Sequence, residues 1–156
     1  MRKKNFKKKE HSKDHIFGRI DVGRFINYLM QNGKKTVAEK IFYTALELIK
    51  KETNQDPLKV FEKALENATP LLEVTSKRIG GANYQIPREV RDERKFFLSA
   101  HWIIEAARNR KGKPMAQKLA EEIIAAFKNE GAAIKKKQDT HRMAEANRAF
   151  ASYLKS

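Results

Sequence analysis

The sequence predicts a mainly α protein, a six-helix single domain with one extended β-hairpin inserted between helices 3 and 4. Apolar residues recur at helical spacing along most of the 156 residues, and start and stop signals divide them into segments. Residues 74–87 instead form two extended runs about a central Gly-Gly pair, as a β-hairpin does. A chain of this length usually forms one domain that can bury a sizeable core.

The first two helices are predicted from capping residues and apolar stripes. Asp21 is the candidate N-cap of the first helix, and Gly33 lies where a C-terminal stop is expected. Thr36 and Glu39 have the spacing of a capping box, which predicts a second helix to about Lys51. The side chains predicted to face the core are Val22, Phe25, Ile26, Leu29, Met30, Val37, Ile41, Ala45, Leu48 and Ile49.

The third helix and the hairpin come next. Asp56-Pro57 combines an N-cap with proline at the first helical position, and Pro70 is the predicted helix end. Gly80-Gly81 tolerates the positive φ angles of a two-residue turn. A two-stranded ribbon without an apolar face is marginal in water, so this one either binds something outside the domain or is a solvated link between helices. The predicted core residues are Val60, Phe61, Ala64, Leu65 and Ala68, and the predicted cross-strand pairs are Ile79–Ala82, Lys77–Tyr84 and Thr75–Ile86.

Three further helices are predicted after the hairpin. The fourth begins at Asp92 and is broken by Gly112-Lys113-Pro114. The fifth is predicted to stop at Gly131, and the last to run from about Thr140. The residues predicted to face inward are Phe96, Phe97, Ala100, Ile103, Ile104, Ala107, Met115, Leu119, Ile123, Phe127, Met143, Ala146, Phe150 and Leu154.

The net charge of +15 is the strongest global feature, and it is concentrated in three segments. Residues 1–15 hold seven Lys or Arg against two acids, residues 75–113 ten against four, and residues 135–156 six against two. The rest of the chain is neutral. A basic excess confined in this way predicts a polyanion-binding surface. An anionic membrane is the weaker alternative, because the N-terminus has no helix with a basic face opposite an apolar one.

No catalytic, cofactor or metal site is predicted. The chain has no cysteine, which excludes disulfides, thiolate metal sites and cysteine nucleophiles and fits a reducing cytosol. His141 and Glu145 share a helix face, but a metal site needs at least three such ligands. Phosphate-loop and nucleophile-elbow motifs are missing. The sequence shows no apolar run long enough to span a bilayer and no signal peptide, so we expect a cytoplasmic protein without membrane partners.

Several basic and aromatic residues are typical of nucleic-acid binding. Residues 1–15 are predicted to be a basic flexible arm, followed by one helical domain over residues 16–156 with its hairpin at about 73–88. Lys34-Lys35 precedes a helix N-terminus, where backbone N–H groups also favour phosphate. Trp102 is either a stacking platform or a core residue, and Tyr84 is a candidate for stacking on unpaired bases. The basic residues that continue the charge of the hairpin are Arg88, Arg91, Arg94 and Lys95, and Lys135, Lys136 and Lys137 are placed before His141-Arg142 at the start of the last helix.

Three segments of this sequence resemble the bacterial-type small-subunit ribosomal protein uS7 family. They are Phe25-Ile26-Asn27 through Gly33-Lys34-Lys35 to Tyr43, residues 76–87 (SKRIGGANYQIP), and residues 141–147 (HRMAEAN). The resemblance covers most of the chain, from about Phe25 to Tyr153, with the segments in the family's order and spacing. It implies a helical domain with an extended hairpin and no enzymatic activity.

The resemblance also implies a binding partner and a set of contact residues. It implies binding to the 3′ major domain of 16S rRNA, nucleation of head assembly, and a place at the subunit interface near the exit-site tRNA and the mRNA path. Other small-subunit proteins, uS11 among them, are implied neighbours, and the protein's own operon mRNA is a possible ligand because some members repress it. The implied rRNA contacts are Arg2, Lys3, Lys4, Lys34, Lys35, Arg91, Arg94, Lys95, Arg108, Met115, Lys136, His141 and Arg142, and the implied tRNA- and mRNA-proximal residues are Lys77, Arg78, Asn83 and Tyr84.

Two other classes of function compete with an rRNA-binding structural protein. The first is an architectural DNA-binding protein that inserts a basic β-arm into the minor groove of bent DNA. The second is an enzyme acting on RNA, which the missing acid–base residues disfavour. Affinity for bent duplex DNA distinguishes the first, and a catalytic constellation would distinguish the second.

Overall fold

The computed structural model describes residues 11–154 and is mainly helical. The prediction of six α-helices with one antiparallel hairpin between the third and fourth is confirmed within that range. Residue contacts divide the chain inside the second helix into two compact units, Met1–Lys40 and Ile41–Ser156. The elements are α1 Ile20–Leu29, α2 Lys35–Thr53, α3 Pro57–Ala68, β1 Leu72–Ile79, β2 Ala82–Glu89, α4 Asp92–Asn109, α5 Met115–Phe127, α6 Gly131–Ala146 and a 3₁₀ segment Arg148–Leu154.

In the first unit, Asp14 organises the chain before α1. Its buried carboxylate accepts hydrogen bonds from the backbone N–H groups of Ile16, Phe17 and Arg19 at 3.1, 2.7 and 2.7 Å. The prediction of Asp21 as N-cap is wrong, because α1 begins at Ile20 with Arg19 as its cap residue. Asp21 lies in the first helical turn and its carboxylate accepts from the Arg19 guanidinium at 2.6 and 3.0 Å.

The start and the stripe of α2 also differ from the prediction. The helix begins at Lys35, so Thr36 lies inside its first turn and no capping box opens it. Val37 is 52% exposed, whereas Ala38 is buried. The buried stripe is Ala38, Phe42, Ala45, Leu46 and Ile49. It shares only Ala45 and Ile49 with the predicted one, and it places the large Phe42 ring inside.

In the second unit, α3 matches its prediction closely. Asp56 is the N-cap, and its side chain accepts a hydrogen bond from the Leu58 N–H at 3.0 Å. All five predicted core residues of α3 are buried. The Phe61 ring packs edge-on against Phe42, with centroids 5.3 Å apart. Trp102 is only 9% exposed, so it belongs to the core and is not a stacking platform.

The prediction for α6 is wrong. The helix begins at Gly131, nine residues before the predicted start, and Gly131 therefore opens α6 instead of ending α5. The buried Glu122 carboxylate on α5 accepts the Ala133 N–H at 3.0 Å, so an acceptor from a neighbouring helix replaces a local cap. Met143, predicted inward, is 51% exposed, and Ala146 is exposed as well. The buried residues of α6 are Ala133, Ile134, Thr140 and Ala144.

The strands of the hairpin pair in the predicted register, but the ribbon packs against its own domain more than expected. Ile79 pairs with Ala82, and the ladder continues to Leu72 opposite Glu89. Ile86 is 1% exposed, and the base of the ribbon contacts α6 and the 3₁₀ segment. The ring of Tyr84 lies 5.3 Å from that of Phe150. The base of the ribbon therefore packs on its own domain, which neither the expected binding to something outside the domain nor the alternative of a solvated link between helices anticipated.

Candidate nucleic-acid interface

A groove of about 1120 Å³ lies at the base of the hairpin, and we call it the arginine groove. Both strands, the start of α4, the end of α6 and the 3₁₀ segment contribute to it. Its lining includes Glu73, Arg88, Glu89, Arg91, Arg94 and Arg148. Guanidinium groups recognise phosphate with several donors in a fixed plane, so such a lining suits a nucleic-acid backbone.

Glu73 holds two of these arginines. Its Oε1 accepts from Arg88 Nε at 2.9 Å and from Arg88 Nη2 at 2.6 Å, and its Oε2 accepts from Arg94 Nε at 3.3 Å. The Glu73 side chain is 11% exposed, whereas those of Arg88 and Arg94 are 44% and 46% exposed. One buried carboxylate thus ties the two strands and α4 together and leaves both guanidinium groups at the surface.

Aromatic and acidic neighbours complete the start of α4. The Arg94 guanidinium carbon lies 4.8 Å from the centroid of the Phe97 ring, within cation–π range. Lys95 donates to Asp92 at 2.8 Å, and this hydrogen bond lowers the pKa of the Asp92 carboxyl. Arg91 is exposed, and its side chain makes no hydrogen bond or ion pair within residues 11–154. Arg91 is therefore the most available cation of this surface.

The four predicted residues of the hairpin lie on its two faces. Lys77 is paired with Tyr84, and Arg78 with Asn83, so each pair shares a face of the ribbon. Tyr84 is half-buried against Phe150, whereas Arg78 and Asn83 are exposed. The Arg78 face is therefore the more accessible one.

The predicted contacts on α6 fall into exposed and inward groups. Lys136 and Arg142 are exposed, and Arg142 approaches Asp139 only to 3.7 Å. Lys137 points inward, where its Nζ donates to the Asn67 carbonyl at 2.7 Å. Burial lowers the pKa of Lys137. These basic residues all lie within α6. The basic patch that was predicted to precede the last helix is therefore part of that helix.

His141 is used inside the fold. Its Nε2 accepts a hydrogen bond from the Leu71 N–H at 3.0 Å, which joins α6 to the segment before β1. Burial, followed by the charge of Lys137, lowers the pKa of His141 below its ordinary 6.5. The ring therefore donates only through Nδ1 while this bond is made.

The lowered pKa of His141 predicts a pH dependence of stability. The unfolded chain binds the proton more tightly than the folded one, so this contribution is complete above about pH 6.5 and is lost as the pH falls toward the folded-state pKa. We expect the melting temperature to fall more steeply between pH 7.5 and 5.5 for the natural chain than for His141→Gln, which cannot titrate. Equal slopes for the two proteins in thermal melts would contradict this.

The remaining predicted residues are scattered. In the first unit Lys34 is exposed, and Lys35 lies 4.0 Å from Glu39. In the second unit Arg108 is exposed near the end of α4, and Met115 is half-buried at the first position of α5. Arg2, Lys3 and Lys4 lie outside the described residues.

The sequence interpretation missed Glu73, Glu89 and Arg148. The predicted register contained a usable signal for the first, because extending it by two residues places Glu73 opposite Arg88. Opposite charges directly across a ladder are a stabilising pair. Arg148 reaches the groove only because α6 runs directly into the 3₁₀ segment, which periodicity did not indicate.

Residues 11–154 contain neither a candidate metal site nor a candidate membrane span. No group of three or more histidine, aspartate or glutamate side chains there is arranged to hold a metal ion. No helix in this part of the chain is both long and apolar enough to cross a bilayer. The arginine groove is therefore the candidate site.

Comparison with known proteins gives one consistent result. The family model described as "Ribosomal protein S7p/S5e" matches residues 1–148. The small ribosomal subunit protein uS7 of Thermotoga maritima is 55% identical over 153 residues, which cover 98% of this chain and 99% of the relative. The proteins of the same name from Caldanaerobacter subterraneus subsp. tengcongensis and Teredinibacter turnerae are 53% and 51% identical, each over 146 residues and 94% of both chains. The similarity thus extends along nearly the whole sequence.

Proposed function

From the premise that this chain belongs to the ribosomal protein S7p/S5e family and is a ribosomal protein of the small subunit, we propose that it binds the 3′ major domain of 16S rRNA and nucleates folding of the subunit head. The family is one of structural ribosomal proteins and not of enzymes, so the protein acts by binding alone. It neutralises phosphates and holds an RNA junction in one arrangement.

The arginine groove is the observation that carries the proposal. It places oriented guanidinium groups beside a basic hairpin, and the net charge of +15 supplies attraction to RNA over a longer range. Phosphate contacts of this kind position a protein on RNA, whereas selectivity for one RNA requires matching its shape. The proposed contacts are those implied by the resemblance: the N-terminal arm, Lys34 and Lys35, the start of α4, Arg108, Met115 and α6.

The hairpin is proposed to serve a second ligand. Its exposed Arg78 and Asn83 face away from the Tyr84–Phe150 contact, which supports a role at the exit-site tRNA and the mRNA path. Neighbouring small-subunit proteins, uS11 among them, are proposed partners. The protein's own operon mRNA is a further proposed ligand, because a shape-selective RNA surface can bind any RNA that presents the same junction.

A salt-titrated binding assay tests the proposed function. The ligands are the 3′ major domain of the rRNA, a scrambled RNA of equal length and a bent DNA duplex. We expect tight binding to the rRNA domain that survives moderate salt, and weak, salt-sensitive binding to the others. Equal binding to all three would contradict the proposal, and preference for the bent duplex would favour the architectural DNA-binding alternative.

The double substitution Lys77→Ala, Arg78→Ala separates the hairpin's function from its stability. Both positions lie in the half of the ribbon nearer the turn, and neither is paired with the buried Ile86. We expect the melting temperature to stay within about 2 °C of the natural protein. Incorporation into the head should persist, while binding of tRNA at the exit site weakens. A large loss of melting temperature would show that these side chains hold the ribbon to its own domain.

A further inference from the structure

We propose that Glu73, although acidic, is a positioning residue for RNA binding, because it holds Arg88 and Arg94 in the orientation in which the arginine groove takes a phosphodiester backbone. This inference rests on the proposed function and deepens it. It assigns a role to a residue whose charge alone would exclude it from an RNA-binding surface.

The Glu73 carboxylate is fully engaged by the two arginines. Both oxygens of Glu73 are used, Oε1 by two nitrogens of Arg88 at 2.9 and 2.6 Å and Oε2 by Arg94 Nε at 3.3 Å. Glu73 lies directly across the ladder from Arg88, whereas Arg94 comes from α4. A single buried side chain therefore fixes two arginines from different elements relative to each other.

The two guanidinium groups keep donors available for a ligand. Each carries five N–H donors. Within residues 11–154, the Nη atoms of Arg94 and Nη1 of Arg88 make no hydrogen bond, and both side chains are almost half exposed. The Phe97 ring beneath the Arg94 guanidinium restricts the orientation of that group further. Long side chains lose much conformational freedom on binding, and holding them beforehand removes part of that loss.

Charge alone does not make this groove attractive to RNA. Its lining contains four arginines but also three glutamates, Glu73, Glu89 and Glu145, so its net charge is only +1. A groove of nearly balanced charge attracts a polyanion weakly unless its cations are directed at the phosphates. The orientation of the arginines therefore decides the affinity, and Glu73 sets that orientation for two of the four.

The decisive experiment compares Glu73→Gln with Glu89→Gln in the same groove. Both substitutions remove one negative charge, but Glu89 is exposed and makes no ion pair or side-chain hydrogen bond within residues 11–154. If only charge mattered, both variants would bind RNA as well as the natural protein or better. We expect Glu73→Gln to lower the affinity for the 3′ major domain about tenfold and to reduce the slope of affinity against salt concentration by about one counterion. We expect Glu89→Gln to bind the same RNA with unchanged or slightly higher affinity. Equal or tighter binding by Glu73→Gln would overturn the proposal.

A second pair of variants guards against misfolding of Glu73→Gln. Arg94→Lys keeps the charge but loses the planar fork that Glu73 orients, whereas Arg148→Lys changes a groove arginine that Glu73 does not contact. Both positions are accessible, so both variants should fold, which thermal melts verify. We expect a several-fold loss of affinity for Arg94→Lys and less than a twofold change for Arg148→Lys. Equal effects of the two would overturn the proposal.

The controls also separate this inference from the proposed function. If the natural protein bound scrambled RNA as tightly as the rRNA domain, the proposed function would fail. The comparison of Glu73→Gln with Glu89→Gln would still decide the role of Glu73 on either RNA, since both RNAs present the same backbone phosphates. If the natural protein prefers the rRNA domain but the two variants behave alike, only the role of Glu73 fails.

Discussion

Replacing Arg110 with alanine is expected to lower the free energy of unfolding by about 3 kcal/mol or more, because it leaves a buried carboxylate without its partner. Glu122 is fully buried, and its Oε2 accepts from Arg110 Nε at 3.0 Å and Nη2 at 2.7 Å. The other oxygen accepts the Ala133 N–H at the start of α6. The substitution therefore affects α4, α5 and α6 at their common junction.

Lys63→Ala is the matched control for this stability effect. Lys63 and Glu66 form an ion pair at 2.8 Å whose side chains are 52% and 70% exposed. Exposed pairs of this kind contribute less than about 1 kcal/mol. Urea denaturation of both variants gives the comparison. If Arg110→Ala cost as little as Lys63→Ala, the Glu122 carboxylate would have another source of stabilisation.

Reversing the charge at Arg91 is expected to weaken binding to the 3′ major domain of the rRNA about 10- to 100-fold. Arg91 lines the groove, is exposed, and makes no side-chain ion pair or hydrogen bond within residues 11–154. Arg91→Glu therefore breaks no side-chain hydrogen bond or ion pair within residues 11–154. It removes a phosphate contact and adds repulsion, and the slope of affinity against salt should fall by about one to two counterions.

Lys59→Glu provides the same change of charge outside the proposed interface. Lys59 is exposed on α3, in a part of the chain whose charges balance, and it makes no ion pair within residues 11–154. Its position near the start of the helix makes a glutamate acceptable there. We expect less than a threefold change in affinity, measured with the same titration. Equal losses for the two variants would mean that only the net charge of the protein matters.

Local signals in the sequence predicted the hairpin and α3 well. Gly80-Gly81 admits the positive φ angles of a two-residue turn, and the turn sets the register of every pair in the ladder. Asp56-Pro57 likewise determines where α3 can begin. In both cases the residues that specify the structure are neighbours in sequence, so no tertiary information was needed.

The start of α6 could not be predicted in the same way. The carboxylate of Glu122, eleven positions before Ala133, holds the first turn of α6 through a hydrogen bond. The buried side of the helix is narrow and includes two alanines and a threonine. An apolar stripe at helical spacing is therefore missing over the first half of the helix. The helical spacing of Met143, Ala146, Phe150 and Leu154 predicted a later start, although Met143 is exposed to solvent. Burial here depends on neighbouring helices and not on local periodicity.

The arginine groove was predictable only in part. The basic residues at the end of the hairpin stood out in the sequence, and the register was sufficient to pair Glu73 with Arg88. Arg94 and Arg148 join them only once α4 and the 3₁₀ segment are placed beside the ribbon. A count of charges does not show that an acidic residue contributes to a basic surface. The role of Glu73 therefore became visible only through its hydrogen bonds.

Ultraviolet cross-linking of the protein to the 3′ major domain of the rRNA, followed by mass spectrometry of the linked peptides, shows which surface of the protein binds RNA. We expect cross-links concentrated in the hairpin and in residues 88–95, with further links in α6, and few in the α2–α3 connection around Asn54. Cross-links concentrated at that connection, with none at the base of the hairpin, would show that RNA binds a different surface.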